Sequence, residues 1–137
     1  MGTPRAEKVG KDAARRYLAK GREFAEVADR ALSDQHYNGA GLAAVHAGIS
    51  LGDAVLGSLA GLRCTARDHG AILALLEQHV AAFTATRRRQ LASLLRLKNT
   101  VEYDQHPLNA AEATAAVENA RRLAAWAVEV CAPVSRS

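Results

Sequence analysis

Apolar residues recur at steps of three and four along most of the chain, and five stretches hold that period long enough to be helices. In the first, about residues 9–32, Ala14, Tyr17, Leu18, Gly21, Phe24, Ala25, Ala28 and Leu32 fall along one face. Lys8, Lys11, Arg15 and Arg22 mark another face, a basic stripe that reads as a solvated outer surface. Polar residues and two glycines between Asp34 and Gly41 break the pattern. The second helix, about 40–59, carries Leu42, Val45, Ile49, Gly52, Leu56 and Leu59 on its stripe, with Ala44, Ala47, Gly48 and Ala54 small enough for close helix approach.

The third helix is expected to start near Thr65, which with Asp68 loosely matches a capping box, and to present Ile72, Leu75, Leu76, His79, Val80 and Phe83. The fourth, about 86–102, opens on Arg87, Arg88 and Arg89 and carries Leu91, Leu94, Leu95, Lys98 and Val101 on its stripe. The fifth follows Pro107, with Asn109 as N-cap and Glu112 as the acid of its first turn. Glu118 and Arg122 stand four apart on its outer face, and Pro133 ends it. No β-type alternation of useful length and no repeat occurs. The expectation is an all-α, antiparallel up-and-down bundle of four to five helices over residues 9–132, between a flexible basic tail at 1–8 and a frayed tail at 133–137.

Composition narrows the chemistry. The chain has 137 residues, enough for one ordinary domain, and 49% of them are hydrophobic, many alanine. Aromatics make up 4%, which leaves no surplus for stacking bases. A formal charge of +4 leans mildly towards anionic partners. Cys64 and Cys131 lie far apart and outside any C-x-x-C motif, so both read as free thiols of a reducing compartment. No apolar leader and no stretch near the roughly 18 apolar residues of a membrane span is evident, which points to the cytoplasm and away from a membrane. There is no Glu-x-x-His for a di-iron bundle, no H-E-x-x-H, no phosphate-binding glycine loop after a strand and no G-x-S-x-G. Neither a metal nor a cofactor is expected.

Several polar residues interrupt the apolar faces. His46 and Asp53, two turns apart, share a side of the second helix and form either a polar site or two separately satisfied groups. Lys98 sits within an apolar stripe, so its head either reaches solvent or meets an acid, Asp53 first and Glu102 second. Tyr103 falls off the Lys98 face, its ring near the helix end. Lys98, Arg87, Arg88, Arg89 and Tyr103 are the candidates for contact with nucleic acid or another anion.

Three segments carry a resemblance. "LAAVHAGISLGDAVLGSLAGLRCTARDHGAILALL" (42–76) resembles the HEPN pattern of an alanine-rich helix leading through a glycine turn to a histidine that opens the next helix. "LLRLKNTVEYD" (94–104) is similar to that family's leucine-rich helix ending in R-x-x-A-D-Y, with Lys98 for the arginine, Val101-Glu102 for Ala-Asp and Tyr103 retained. "NAAEATAAVENARRLAAWAVEV" (109–130) resembles its closing helix. The likeness spans roughly residues 10–132 and is greatest to small stand-alone HEPN-like proteins of actinobacteria. It implies a four- to five-helix bundle, usually dimeric, from bacterial toxin–antitoxin and conflict systems. Active members are metal-independent endoribonucleases carrying R-x(4–6)-H, and other relatives bind nucleotides or are not catalytic.

Arg63 and His69 meet that spacing, with five residues between them. Histidine can move the proton of a ribose 2′-OH, and arginine can hold the phosphate. The ribonuclease members carry the motif late in the chain, where Arg96, Lys98 and His106 stand too far apart, so a turn and helix-opening role for Arg63 and His69 is the other reading. Three functions follow: a module that binds RNA, a nucleotide or a cognate nucleotidyltransferase-like antitoxin; a metal-independent ribonuclease toxin; or a non-catalytic assembly adaptor. A homodimer is expected, with Ala44, Ala47, Gly48 and Gly52 permitting close contact between copies.

Overall fold

A computed structural model describes residues 5–103 and 106–132. Five helices and two short strands follow in the order β1 (Ala6–Lys8), α1 (Lys11–Ser33), α2 (Tyr37–Ala60), β2 (Leu62–Cys64), α3 (Ala71–His79), α4 (Ala85–Tyr103) and α5 (Ala110–Val130) among the described residues. The architecture is an all-α bundle. The expected C-terminal tail, 133–137, lies outside the described residues.

Helix α1 buries Ala14, Leu18, Gly21 and Ala28, a stripe at steps of three, four and seven. A tight turn ends it: Gln35 takes φ 61°, and the His36 N–H returns to the Ala31 carbonyl at 2.8 Å. The chain then reverses into α2, which packs against each of the other four helices. Small residues make that central position possible. A Cβ at Gly21 would lie 2.7 Å from the Leu51 side chain, and one at Gly48 would lie 2.8 Å from Leu94 and 3.3 Å from Leu91. The neighbours thus close onto the α2 backbone, and each buried leucine such as Leu51, Leu56, Leu91 or Leu94 contributes roughly 2 kcal/mol. Ala44, Ala47, Gly48 and Gly52 are all buried in this way inside one chain. The small-residue face expected between two copies is consumed within the bundle.

Helix α2 is also apolar enough to pass a length-and-composition test for a membrane span, which the sequence reading did not anticipate: its window has mean hydropathy 1.4 and is 67% buried. A core helix that touches four neighbours has that composition because it is dry on most sides.

Gly61 terminates α2 with φ 65°, the left-handed conformation that favours glycine at a helix C-cap. The residues just beyond pair with the N-terminal segment: Ala6 faces Cys64, Glu7 faces Arg63 and Lys8 faces Leu62 in an antiparallel ladder. Residues 6–8, placed in a tail by the sequence reading, therefore hold β2 in place. The Thr65 N–H continues the ladder to the Arg5 carbonyl at 3.0 Å, so Thr65 cannot open α3. That helix starts at Ala71, and Asp68 accepts from the Gly70 N–H at 2.9 Å in a turn before it. The expected capping box of α5 is present: Asn109 accepts from the Glu112 N–H at 2.8 Å, and Glu112 accepts from the Asn109 N–H at 3.0 Å. On its outer face Arg121, rather than Arg122, makes the ion pair, to Asp29 of α1.

Candidate functional site

His46 and Asp53 are the two acid–base side chains near neutrality in an α2 made otherwise of small, aliphatic and hydroxyl or amide residues and one tyrosine. Both are partly buried on one side of it, with Ile49 between them. Tyr17, Lys20 and Phe24 line up at helical spacing on the adjoining edge of α1. The β1–β2 ladder delivers Arg63 to this side, and the loop after β2 delivers His69. A cleft of about 80 Å³ results, lined by Ile49, Asp53, Cys64, Ala66, His69 and Ile72. The positions of Arg63 and His69 thus serve more than a turn: neither caps α3, and the His69 side chain faces Asp53 across the cleft.

Burial pushes the Asp53 carboxyl up to about 6, and the charges of Arg63 and Lys20 hold it from rising further. Dry walls favour the neutral acid, whereas nearby cations favour the carboxylate; here the first effect wins. Arg63 is held firmly cationic by the Tyr17 hydroxyl, then by the Glu7 carboxylate. Its Nε lies 2.8 Å from Glu7 Oε1, yet that shielded N–H has no aligned acceptor, so the pair is one of charge rather than a directed hydrogen bond. A phosphate oxygen can exchange into such a contact more readily than into a bidentate pair.

The same face continues towards the end of α4. The Phe24 and His46 rings stand 5.6 Å apart, tilted by 36°, and the Lys20 ammonium sits 6.0 Å from the Phe24 centroid. Next comes Glu102, whose carboxyl is held below its usual range mainly by Lys98, with smaller contributions from Tyr103 and His46. Lys98 donates to Glu102 Oε2 at 2.9 Å and stands 5.9 Å from the Tyr103 ring. Its partner is therefore the second expected candidate, Glu102, and not Asp53. The expectation that Tyr103 avoids Lys98 fails as well, because the ring at the open helix end folds back over the ammonium. Glu102 in turn holds the Lys98 ammonium charged above its usual range.

Arg63, His69, Asp53, His46, Lys98 and Tyr103 thus belong to one face. Arg87, Arg88 and Arg89 do not join it; they engage Gln90, Glu77 and Thr86 near the start of α4. Larger recesses exist elsewhere, about 220 Å³ between α1 and α5 and about 380 Å³ beside α3. Their cations, Arg121 and Arg88, are already neutralised by Asp29 and Glu77, so the smaller cleft holds the more versatile chemistry. Sequence reasoning missed Tyr17, Lys20, Glu7 and Cys64 as part of the site. The shared spacing of 17, 20 and 24 with 46, 49 and 53 was the available signal for the α1 edge. Among the described residues no group of His, Cys, Asp and Glu is arranged to hold a metal ion. Compared with models of protein families and with curated proteins, the chain matches none.

Proposed function

We propose that this chain is a HEPN-like module whose α1–α2 face binds the phosphate groups of RNA or a nucleotide. One observation carries the reading: Arg63, Lys20, Asp53 and His69, from four separate segments, gather around one partly dry cleft. A cation beside a low-dielectric wall attracts phosphate more strongly than one in open water, and a positive overall charge assists the encounter. The test is titration of labelled single-stranded RNA at low and high salt. Arg63→Ala and Lys20→Ala are expected to weaken binding and flatten its salt dependence, while Arg89→Ala leaves both nearly unchanged. Equal losses at all three positions would indicate diffuse attraction and overturn the assignment.

A second reading, a metal-independent endoribonuclease toxin, is favoured by Asp53. An acid that titrates at about 6 faces a histidine in the same cleft, a combination suited to general acid–base work. One group would take the proton of the 2′-OH as its oxygen attacks phosphorus; the other would protonate the departing 5′-oxygen. Arg63 would balance charge on the phosphoryl oxygens. The products are a 2′,3′-cyclic phosphate and a 5′-hydroxyl end. Cleavage in EDTA that disappears in both His69→Ala and Asp53→Asn supports this reading; binding without cleavage leaves the module alone. A cognate antitoxin and a homodimer belong to the same proposal. With the small residues of α2 spent in the core, such a dimer has to use another surface, and light scattering reads its mass.

A further inference from the structure

The chain has six aromatic residues of the Phe, Tyr and Trp type. Phe83 and Trp126 pair inside the core with centroids 6.0 Å apart. Phe24 and Tyr103 instead stand with His46 on the face described above, and Tyr103 is 75% exposed. Core packing explains the first pair and leaves Tyr103 without a structural task. Low aromatic content had argued against base stacking; what matters is where the few rings are placed.

We infer that the Phe24–His46–Tyr103 end of this face receives unpaired nucleobases, so that the ligand is single-stranded. The inference rests on the phosphate-binding reading and names its substrate class. Asp53, the level of the Arg63 and Lys20 cations, lies seven residues along α2 from His46. That is about 10 Å of helix, roughly three stacked nucleotide steps. A strand whose phosphate sits at Arg63 therefore reaches the rings within a short run of nucleotides. Lys20 and Lys98, each near an aromatic ring, flank the rings and supply cations to the backbone between. Acidic Glu102 is bound to Lys98 and so does not stand as an unpaired repulsive charge. A duplex would keep its bases sealed in pairs and offer these rings nothing to stack on.

Three probes separate this inference from the reading beneath it: an RNA strand of about 12 nucleotides, its duplex, and an abasic strand of equal length. The native protein is expected to bind the single strand about 5- to 150-fold more tightly than the abasic strand, the range for loss of one stacked base. Tyr103→Ala and Phe24→Leu should each reduce that advantage without weakening abasic binding, and Tyr103→Phe should restore it. Arg63→Ala should weaken all three probes. Circular dichroism checks that each variant folds; Tyr103 is exposed, and Leu at 24 keeps an apolar side chain against the core. If all three probes bind equally to the native protein, or Tyr103→Ala keeps the full advantage, the base-stacking inference falls and phosphate binding stands. If no probe binds, both fall.

Discussion

Replacing Asp53 by Asn should make the protein more stable at neutral pH, the reverse of what a structural ion pair would do. The carboxyl is pushed from an ordinary 3.8 to about 6, with burial as the largest cause. In the interval between those values the folded chain holds a proton that the unfolded chain has lost. Stability therefore falls as pH rises, from full strength below the unfolded value to a plateau above the folded one. The rise corresponds to about 3 kcal/mol at about 1.4 kcal/mol per pH unit, and the attraction of Arg63 and Lys20 is already included. Asparagine has nearly the same shape and never ionises. Urea unfolding should give nearly equal stabilities for the two proteins at about pH 3.5, and an advantage of about 2–3 kcal/mol for Asp53→Asn at about pH 8. A variant less stable than the native protein at pH 8, or a difference that does not change with pH, would refute the reasoning and make the Asp53 carboxylate a stabilising partner of Arg63. A carboxyl kept at such a cost is better explained by what it does in the cleft than by what it does for folding.

Gly48→Ala should destabilise the fold by about 1–3 kcal/mol in denaturant unfolding, because the added methyl meets Leu94 at 2.8 Å and Leu91 at 3.3 Å; an unchanged midpoint would mean α4 moves aside freely. Asn109→Ala should cost about 1 kcal/mol by removing the α5 cap, and Asn109→Asp should recover most of it. Iodoacetamide should modify Cys64 in the native protein well before Cys131, which is 1% exposed and whose thiol burial pushes above its usual range. Equal rates by mass spectrometry would show that the end of α5 opens.

Local signals wrote some elements and long-range ones wrote others. The Asn109–Glu112 capping box is contained within four residues, so α5 was legible to its first residue. The start of α3 was not. Thr65 looks like a cap until Arg5, sixty positions earlier, claims its N–H for the strand ladder; no local pattern reports that pairing. Alanine and glycine on α2 announced close approach correctly, but a spacing of small residues cannot say whether the neighbour is another helix of the same chain or a second copy. Asp53 and His46 were visible as interruptions of an apolar helix. That Arg63 arrives beside Asp53, while Glu102 and not Asp53 takes Lys98, depends on the β1–β2 register and on how α4 ends.

Ultraviolet crosslinking of the native protein to a labelled single-stranded RNA, followed by peptide mapping, addresses the central claim most directly, because it reports which face the ligand touches without any mutation. The account predicts crosslinks at Tyr103, Phe24 and Tyr17, in peptides from the end of α4 and from α1, lost in excess unlabelled RNA. Crosslinks confined to the Arg87–Arg89 region at the start of α4, or no competable crosslink on the α1–α2 face, would contradict it.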